Sequence, residues 1–356
     1  MTKKISLALV AALALSVGAA GCKKKKKEAP KDPTTSASPE NKGGAGASPA
    51  AVPAGGAGST TPVAGASGIG ADALASLPQG IKAAVGINMA GVKKSSFFDM
   101  LKNKMMSEDK NGEFLKFVQD CKFDPFTQID WMVVGMEQVG KGGDFAAVVA
   151  RGKFDEATLM PCVMQKQAEK ADGDKFTIED YKGKKLYVSS KTPEKIMAFT
   201  SANTLVVGQK AWLTSLIDGG AKTAKDGAIA AMVGKVDTAQ ALWLALTELP
   251  AGGMGGPMPI PGGAPKAMWG SVDFSSGIAA KLSLQLASAD AAKGMADMAN
   301  AQAGMAKQFF DKMLVTASGD TVSIDIGMSE QQIKMLVGMI GMGMKRGGMG
   351  MGPGGP

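Results

Sequence analysis

The sequence predicts an α+β fold: an antiparallel meander sheet with helices packed on one face, arranged as two related halves. Three observations lead there. Short apolar or alternating runs are separated by Gly, Ser, Asn and Asp turns at hairpin spacing. Capping residues open helical stretches between groups of these runs. A strand followed by a helix recurs, at Phe145-Ala146-Ala147 with a helix near Glu156 and at Ile278-Ala279-Ala280 with a helix opened by Ser288. One face of such a sheet must be buried, and helices are the economical cover.

The elements of the first half follow in order. Ile81 to Ile87 reads as a strand, and Phe97 to Cys121 as one or two helices. Strands at Ile129 to Met136 and Asp144 to Ala150 flank Gly140-Lys141-Gly142-Gly143, and a helix begins near Asp155. Phe176 to Tyr181 and Lys185 to Val188 alternate around Lys182-Gly183, a two-residue hairpin signal. A second hairpin joins Ile196 to Phe199 with Leu205 to Val207 through Ser201-Ala202-Asn203, and a helix from Ala211 to Ile217 stops at Gly219-Gly220.

The second half repeats this plan in shorter form. A strand at Ala241 to Leu246 precedes a Gly/Pro/Met loop. Ala267 to Phe274 and Ile278 to Leu286 turn at Ser275-Ser276-Gly277, and an Ala/Met helix runs to about Phe310. Met313 to Ala317 and Val322 to Ile326 pair across Ser318-Gly319-Asp320, and Ser329-Glu330-Gln331-Gln332 is a capping box for a last helix. The expected halves are 71–222 and 223–345, followed by a Gly/Met-rich disordered tail at 346–356.

Composition removes several function classes. The chain of 356 residues has no histidine, which excludes imidazole metal sites, Ser-His-Asp triads and histidine bases. Aromatics at 5% argue against base-stacking nucleic-acid modules, so no nucleic-acid partner is expected. The net charge of +8 is partly concentrated in the run Lys23 to Lys27.

The N-terminus carries an address. Lys3 and Lys4 precede an apolar stretch from Ile5 to Ala20, which at about 1.5 Å per residue falls short of a bilayer core. The stretch ends in Ala19-Ala20-Gly21-Cys22, which resembles the lipobox of bacterial lipoprotein precursors. The family usually has leucine where Ala19 stands. The resemblance implies removal of a signal peptide, residues 1–21, by signal peptidase II, followed by diacylglycerol attachment and N-acylation at Cys22. It also implies a lipid-anchored protein of the cell envelope with the membrane as its first partner. Lys23, Lys24, Lys25, Lys26 and Lys27 would then either lie against anionic head groups, each contributing about 1 kcal/mol near the surface, or serve as a solvated spacer that holds the chain off the bilayer. Lys23 is not the aspartate associated with inner-membrane retention, which points to the outer membrane, facing the periplasm or the cell surface. From Cys22 to Gly70 the chain is Lys-, Pro-, Ala-, Gly- and Ser-rich and reads as a disordered tether. About 45 such residues reach roughly 35–40 Å. In outline, the body beyond it is similar to uncharacterised domains of envelope lipoproteins.

With Cys22 assigned to lipid, Cys121 and Cys162 remain as an even pair in an oxidising compartment, and a disulfide between them is expected. Two cysteines without histidine cannot supply a four-ligand zinc site, and no Cys-x-x-Cys is present.

Other motifs fail on context. Ser107-Glu108-Asp109-Lys110 matches Ser-x-x-Lys but lacks the Ser-Asp-Asn and Lys-Thr-Gly partners such enzymes need. Asp172-Gly173-Asp174 opens like a calcium loop, but Lys175-Phe176-Thr177 occupies the positions of further ligands. Gly68-Ile69-Gly70 has no strand before it, Asp124 and Asp130 flank a strand start, and Glu179-Asp180 lies on a hairpin. No cofactor and no catalytic constellation are expected. The unusual chemical feature is methionine. Met254 and Met258 in the long loop, and Met342, Met344, Met349 and Met351 near the C-terminus, offer soft thioethers suited to Cu(I) or to absorbing oxidants. The leading expectation is a lipid-anchored, non-catalytic binding or scaffolding protein with an envelope ligand or protein partner. The alternative is copper handling or oxidant buffering by those methionines.

Overall fold

The structure, a computed structural model, describes residues 68–335 except 96, 97, 100, 101, 104, 105, 107, 108, 110, 111, 139–144, 170–174, 250–262, 307–309 and 334. These residues all belong to one unit of the chain. The order begins α1 (Ile69–Leu74), β1 (Ala83–Asn88), α2 (Met89–Lys93), α3 (Glu113–Cys121), α4 (Pro125–Gln128), β2 (Ile129–Met136), β3 (Phe145–Gly152) and α5 (Glu156–Ala168). Then come β4 (Phe176–Tyr181), β5 (Lys184–Ser189), β6 (Lys195–Ser201), β7 (Thr204–Gln209), α6 (Lys210–Ile217) and α7 (Ala228–Val233). The remainder is β8 (Leu242–Leu246), β9 (Ala267–Asp273), β10 (Ile278–Gln285), α8 (Ala289–Ala306), β11 (Lys312–Ser318) and β12 (Thr321–Met328).

The strands make one twelve-stranded sheet in the order β11-β12-β10-β9-β8-β1-β2-β3-β7-β6-β5-β4. Every pairing in it is antiparallel. The α+β class and the antiparallel hairpins are those the sequence predicts.

Local chemistry explains the boundaries. Lys182 and Gly183 both have positive φ, 48° and 75°, the mirror-image turn whose twist matches the strands β4 and β5 that it joins. The Asp155 carboxylate accepts the Thr158 N–H at 2.8 Å and fixes the start of α5. The Ser288 hydroxyl accepts the Ala291 N–H at the head of α8. The Gln332 side chain accepts the Ser329 N–H at 3.2 Å, the reciprocal half of a capping box, and residues 330–333 are helical.

Register separates the two faces of the sheet. On one, Ala84, Val133, Val149, Val206 and Trp243 are buried with Leu74 of α1, Leu213 of α6, and Ile229 and Val233 of α7. This is the α1 face. On the other, Ala292 and Ala296 of α8 bury Val315 and Val322. Farther along that side, Phe154 at the entry to α5 meets Phe199 edge-on at 6.1 Å. This is the α5 face. The helices therefore divide between both faces, where the sequence suggested one. The reason is visible in β2 and β3, which bury residues of both parities and so need cover on both sides.

A second correction concerns the tether, expected to extend to Gly70. Helix α1 already begins at Ile69, and Gly70 is buried where an added Cβ would lie 2.9 Å from Thr238 Cγ2. The folded body thus claims residues the composition assigned to the linker. Six residues of Ile-Gly-Ala-Asp-Ala-Leu are too few to show a helical period.

The order of elements is the same in both halves. A short helix precedes the first strand, α1 before β1 and α7 before β8. Three strands follow, then a helix, α5 or α8. The last strand of each half, β7 or β12, returns to pair with the third, β3 or β10. The first half adds the hairpin β4–β5 at its outer edge. The halves meet where β1 pairs with β8, so one sheet crosses the boundary expected between residues 222 and 223. Centred on the facing pair Val85 and Leu244, a two-fold rotation normal to the sheet matches Val134 with Gly270, Val148 with Leu282 and Val207 with Ile324. The seam also requires Gly86, since a Cβ there would stand 2.0 Å from Cε2 of the fully buried Trp243.

Candidate functional site

Cys121 and Cys162 are joined by a disulfide with a Cα–Cα distance of 5.4 Å, tying the end of α3 to the middle of α5. Lys166 strengthens the same junction, reaching Asp120 at 2.7 Å and Glu169 at 2.8 Å. Hydrogen bonding from Lys166 holds the Asp120 carboxyl below its ordinary range, and hydrogen bonding to Asp120 raises the Lys166 ammonium. Cys22, Lys23 to Lys27, Met254, Met258, Met342, Met344, Met349 and Met351 lie outside the described residues.

The carboxylates weighed as chemistry have other employment. Asp109 accepts the backbone N–H groups of Phe114 and Leu115 at the head of α3. Asp124 caps α4 through Phe126 N–H at 2.9 Å. Glu179 pairs with Lys210 at 2.6 Å. The phenol of Tyr187 donates to Glu156 at 2.7 Å, and burial followed by that carboxylate pushes its ionisation upward. Ser107, Lys110, Asp172 and Asp174 are outside the described residues. Among the described residues, no group of three or more Cys, Asp or Glu side chains is placed to hold a metal ion.

The distinctive surface is apolar. On the α5 face, each position of β1, β8, β9, β10 and β12 is Gly, Ala, Val, Leu, Ile or Met. Register aligns Val134, Val85, Leu244, Gly270, Leu282 and Ile324 in one row across six strands. All of them except Gly270 remain half-buried, although none stands at a sheet edge. At about 4.8 Å per strand, the row extends roughly 24 Å.

The two-fold comparison sets this strip against its counterpart in the first half. In β3, Val148 and Ala150 are buried on the α5 face, under the side where α3, α4 and α5 gather. Their counterparts in β10, Leu282 and Leu284, are half-buried. The first half inserts α2, α3 and α4 between its first two strands. The corresponding link, residues 247–266, contains no helix among its described residues. Helix α8 packs along β11 and β12, and no described helix makes more than marginal contact with β10. Beside α8 the α5-face positions of β10, β9 and β8 form an apolar strip, the candidate groove, closed at the end where Ala83, Leu246 and Met268 are buried.

This groove was not among the residues singled out in the sequence. Its signal was the alternation in Ile278-Ala279-Ala280-Lys281-Leu282-Ser283-Leu284, which marks a strand with a wet face, while the pairing that brings Leu244 and Ile324 beside it is non-local. No described helix is long and apolar enough to cross a membrane. No family model matches the chain, and no curated protein and no solved structure matches it.

Proposed function

We propose that this chain is a lipid-anchored protein of the bacterial cell envelope whose body performs no chemistry and binds an apolar ligand in the α5-face groove. The lipobox-like Ala19-Ala20-Gly21-Cys22 and the lysines after it support the anchoring. The observation that supports the binding role is the uncharged row from Val85 to Ile324, only half-buried, apart from the buried Gly270, in the interior of a sheet. Soluble domains rarely leave contiguous apolar surface of this kind uncovered unless something docks there. The strands of the floor use their backbone groups on one another, so an incoming peptide strand would find no hydrogen-bond partner, whereas an acyl chain needs none.

Two measurements test the reading. The Cys22→Ser variant is expected to leave the membrane fraction, and mass spectrometry of the unsubstituted chain should show acylation at Cys22. Titration with the fluorescent fatty acid cis-parinaric acid should give saturable binding that Leu282→Asp removes while the circular dichroism spectrum stays unchanged. Absence of binding in both the full chain and a chain ended after Met335 would refute the groove as a binding site.

A further inference from the structure

We infer that strand β4 is a docking edge for a second copy of this chain, two β4 strands pairing antiparallel about a two-fold axis that passes between their Thr177 residues. The inference is independent of the α5-face strip.

The sheet ends in β11 on one side and β4 on the other. The turn Gly319-Asp320 makes Ser318 and Thr321 a hydrogen-bonded pair, so alternation turns the backbone groups of Met313, Val315 and Ala317 outward from β11. Helix α8 packs along that strand, and the Asn300 amide donates to the Val315 carbonyl at 3.0 Å. The β11 edge is thereby guarded at its middle.

The β4 edge has no such guard among the described residues, where only β5 packs along it to more than a marginal degree. The turn Lys182-Gly183 makes Tyr181 and Lys184 a hydrogen-bonded pair. At the other end the Ser190 N–H donates to the Lys175 carbonyl at 2.8 Å, which confirms the alternation. Phe176, Ile178 and Asp180 therefore aim their N–H and C=O groups away from β5, a template for a further strand. Ile178, in the middle of this edge, is 48% exposed.

The side chains select both partner and register. Facing pairs across a new antiparallel seam must match outward groups with outward groups. Centring two copies on Glu179 or on Asp180 sets like charges opposite each other. Centring on Ile178 sets Asp180 against Phe176, and centring on Phe176 carries Ile178 past the start of the strand. Centring on Thr177 sets threonine against threonine, Phe176 against Ile178 and Lys175 against Glu179, the last two pairs occurring twice. Threonine, aromatic–β-branched and opposite-charge pairs are the combinations that stabilise cross-strand contacts. Glu179 already receives Lys210 at 2.6 Å, and its carboxylate has room for a second ammonium. The next position along would set Asp180 opposite Asp174, so like charge ends the ladder there. The chain's own tether is a poorer occupant, since residues 23–67 contain Val52 and Val63 but no Ile, Leu, Phe, Tyr or Trp. The two-fold pairing uses both β4 edges and leaves the guarded β11 edges outside, so association closes at a dimer. A ladder this short falls below the roughly 1,200 Å² of a standard interface, so the dimer is weak and reversible.

The test is cross-linking of the full chain under mild oxidation, in membranes and after purification. Thr177→Cys places two thiols directly opposite each other, at a spacing a disulfide accepts, and should give at least about tenfold more covalent dimer than Asp180→Cys. Ile178→Pro removes an N–H that faces the partner and none that faces β5; added to Thr177→Cys it should abolish the cross-link while thermal unfolding still reports a folded body. Equal yields from Thr177→Cys and Asp180→Cys would mean random collision and would overturn the pairing, as would a cross-link that survives Ile178→Pro. A higher yield from Ile178→Cys than from Thr177→Cys would overturn the register. No covalent dimer, or an adduct with a different protein in its place, would overturn the second copy as occupant.

Discussion

Replacing Cys162 by serine removes the covalent tie between α3 and α5 while leaving a side chain of similar size. The bridge spans 41 residues of sequence. On the chain-entropy account, opening a loop of that length returns about 4 kcal/mol of freedom to the unfolded chain. Unfolding entropy near 2.1 cal/mol/K per residue, applied to a body of roughly 270 residues, converts this to a fall in Tm of about 7 °C. The ion pairs from Lys166 to Asp120 and Glu169 do not compensate, since contacts at this level of exposure contribute little. Thermal unfolding by circular dichroism, run on the unsubstituted protein with and without reductant and on Cys162→Ser, gives the comparison. The reduced protein and the variant should coincide. A Tm within 1 °C of the oxidised protein in both cases would refute the argument, because the α3–α5 junction would then be held without the bond.

Further outcomes follow from other contacts. Gly86→Val forces Trp243 from its buried position and should destabilise by about 1–3 kcal/mol, with a red-shifted tryptophan emission as the ring reaches water; unchanged emission would contradict the packing described. Acid unfolding should reveal the carboxylates whose ionisation is lowered in the folded chain: Asp120 and Glu169 by Lys166, and Asp218 by Lys182. Their contribution is present above the ordinary carboxylate pKa of about 4 and lost as pH falls below it, so Asp120→Asn should flatten that limb of a stability-versus-pH curve. Tyr187 behaves in the opposite sense, its raised ionisation giving stability that is present below about pH 10 and lost above it. Tyr187→Phe should cost about 1 kcal/mol at neutral pH and shrink the alkaline loss, read by urea unfolding at two pH values.

Much of this architecture was legible in the residues. Lys182-Gly183, Asp155, Ser288 and the Ser329–Gln332 pair each state a local rule that the chain obeys, because turns and caps are settled within a few residues. The short helices α1, α2 and α7 leave no periodic mark in the sequence, as five or six residues cannot display a 3.6-residue period. The division of helices between two faces was readable in principle. Trp131-Met132-Val133-Val134 and Ala146-Ala147-Val148-Val149 are unbroken apolar runs, the mark of a strand covered on both sides, and β10 lacks such a run. The cysteine pair yielded to counting. The groove did not, because Val85, Leu244, Leu282 and Ile324 are separated by scores of residues and become neighbours only through register.

The joint between β1 and β8 is a single ladder of five facing residue pairs. The braces on its two sides differ, so the two sides should exchange backbone hydrogen with solvent at different rates. The side braced by the disulfide and by edge-to-face phenylalanine rings should keep its amides longest, and the side that contains β10 should open through smaller, more frequent excursions. Rigidity and accessibility are in this way assigned to opposite wings of one continuous sheet.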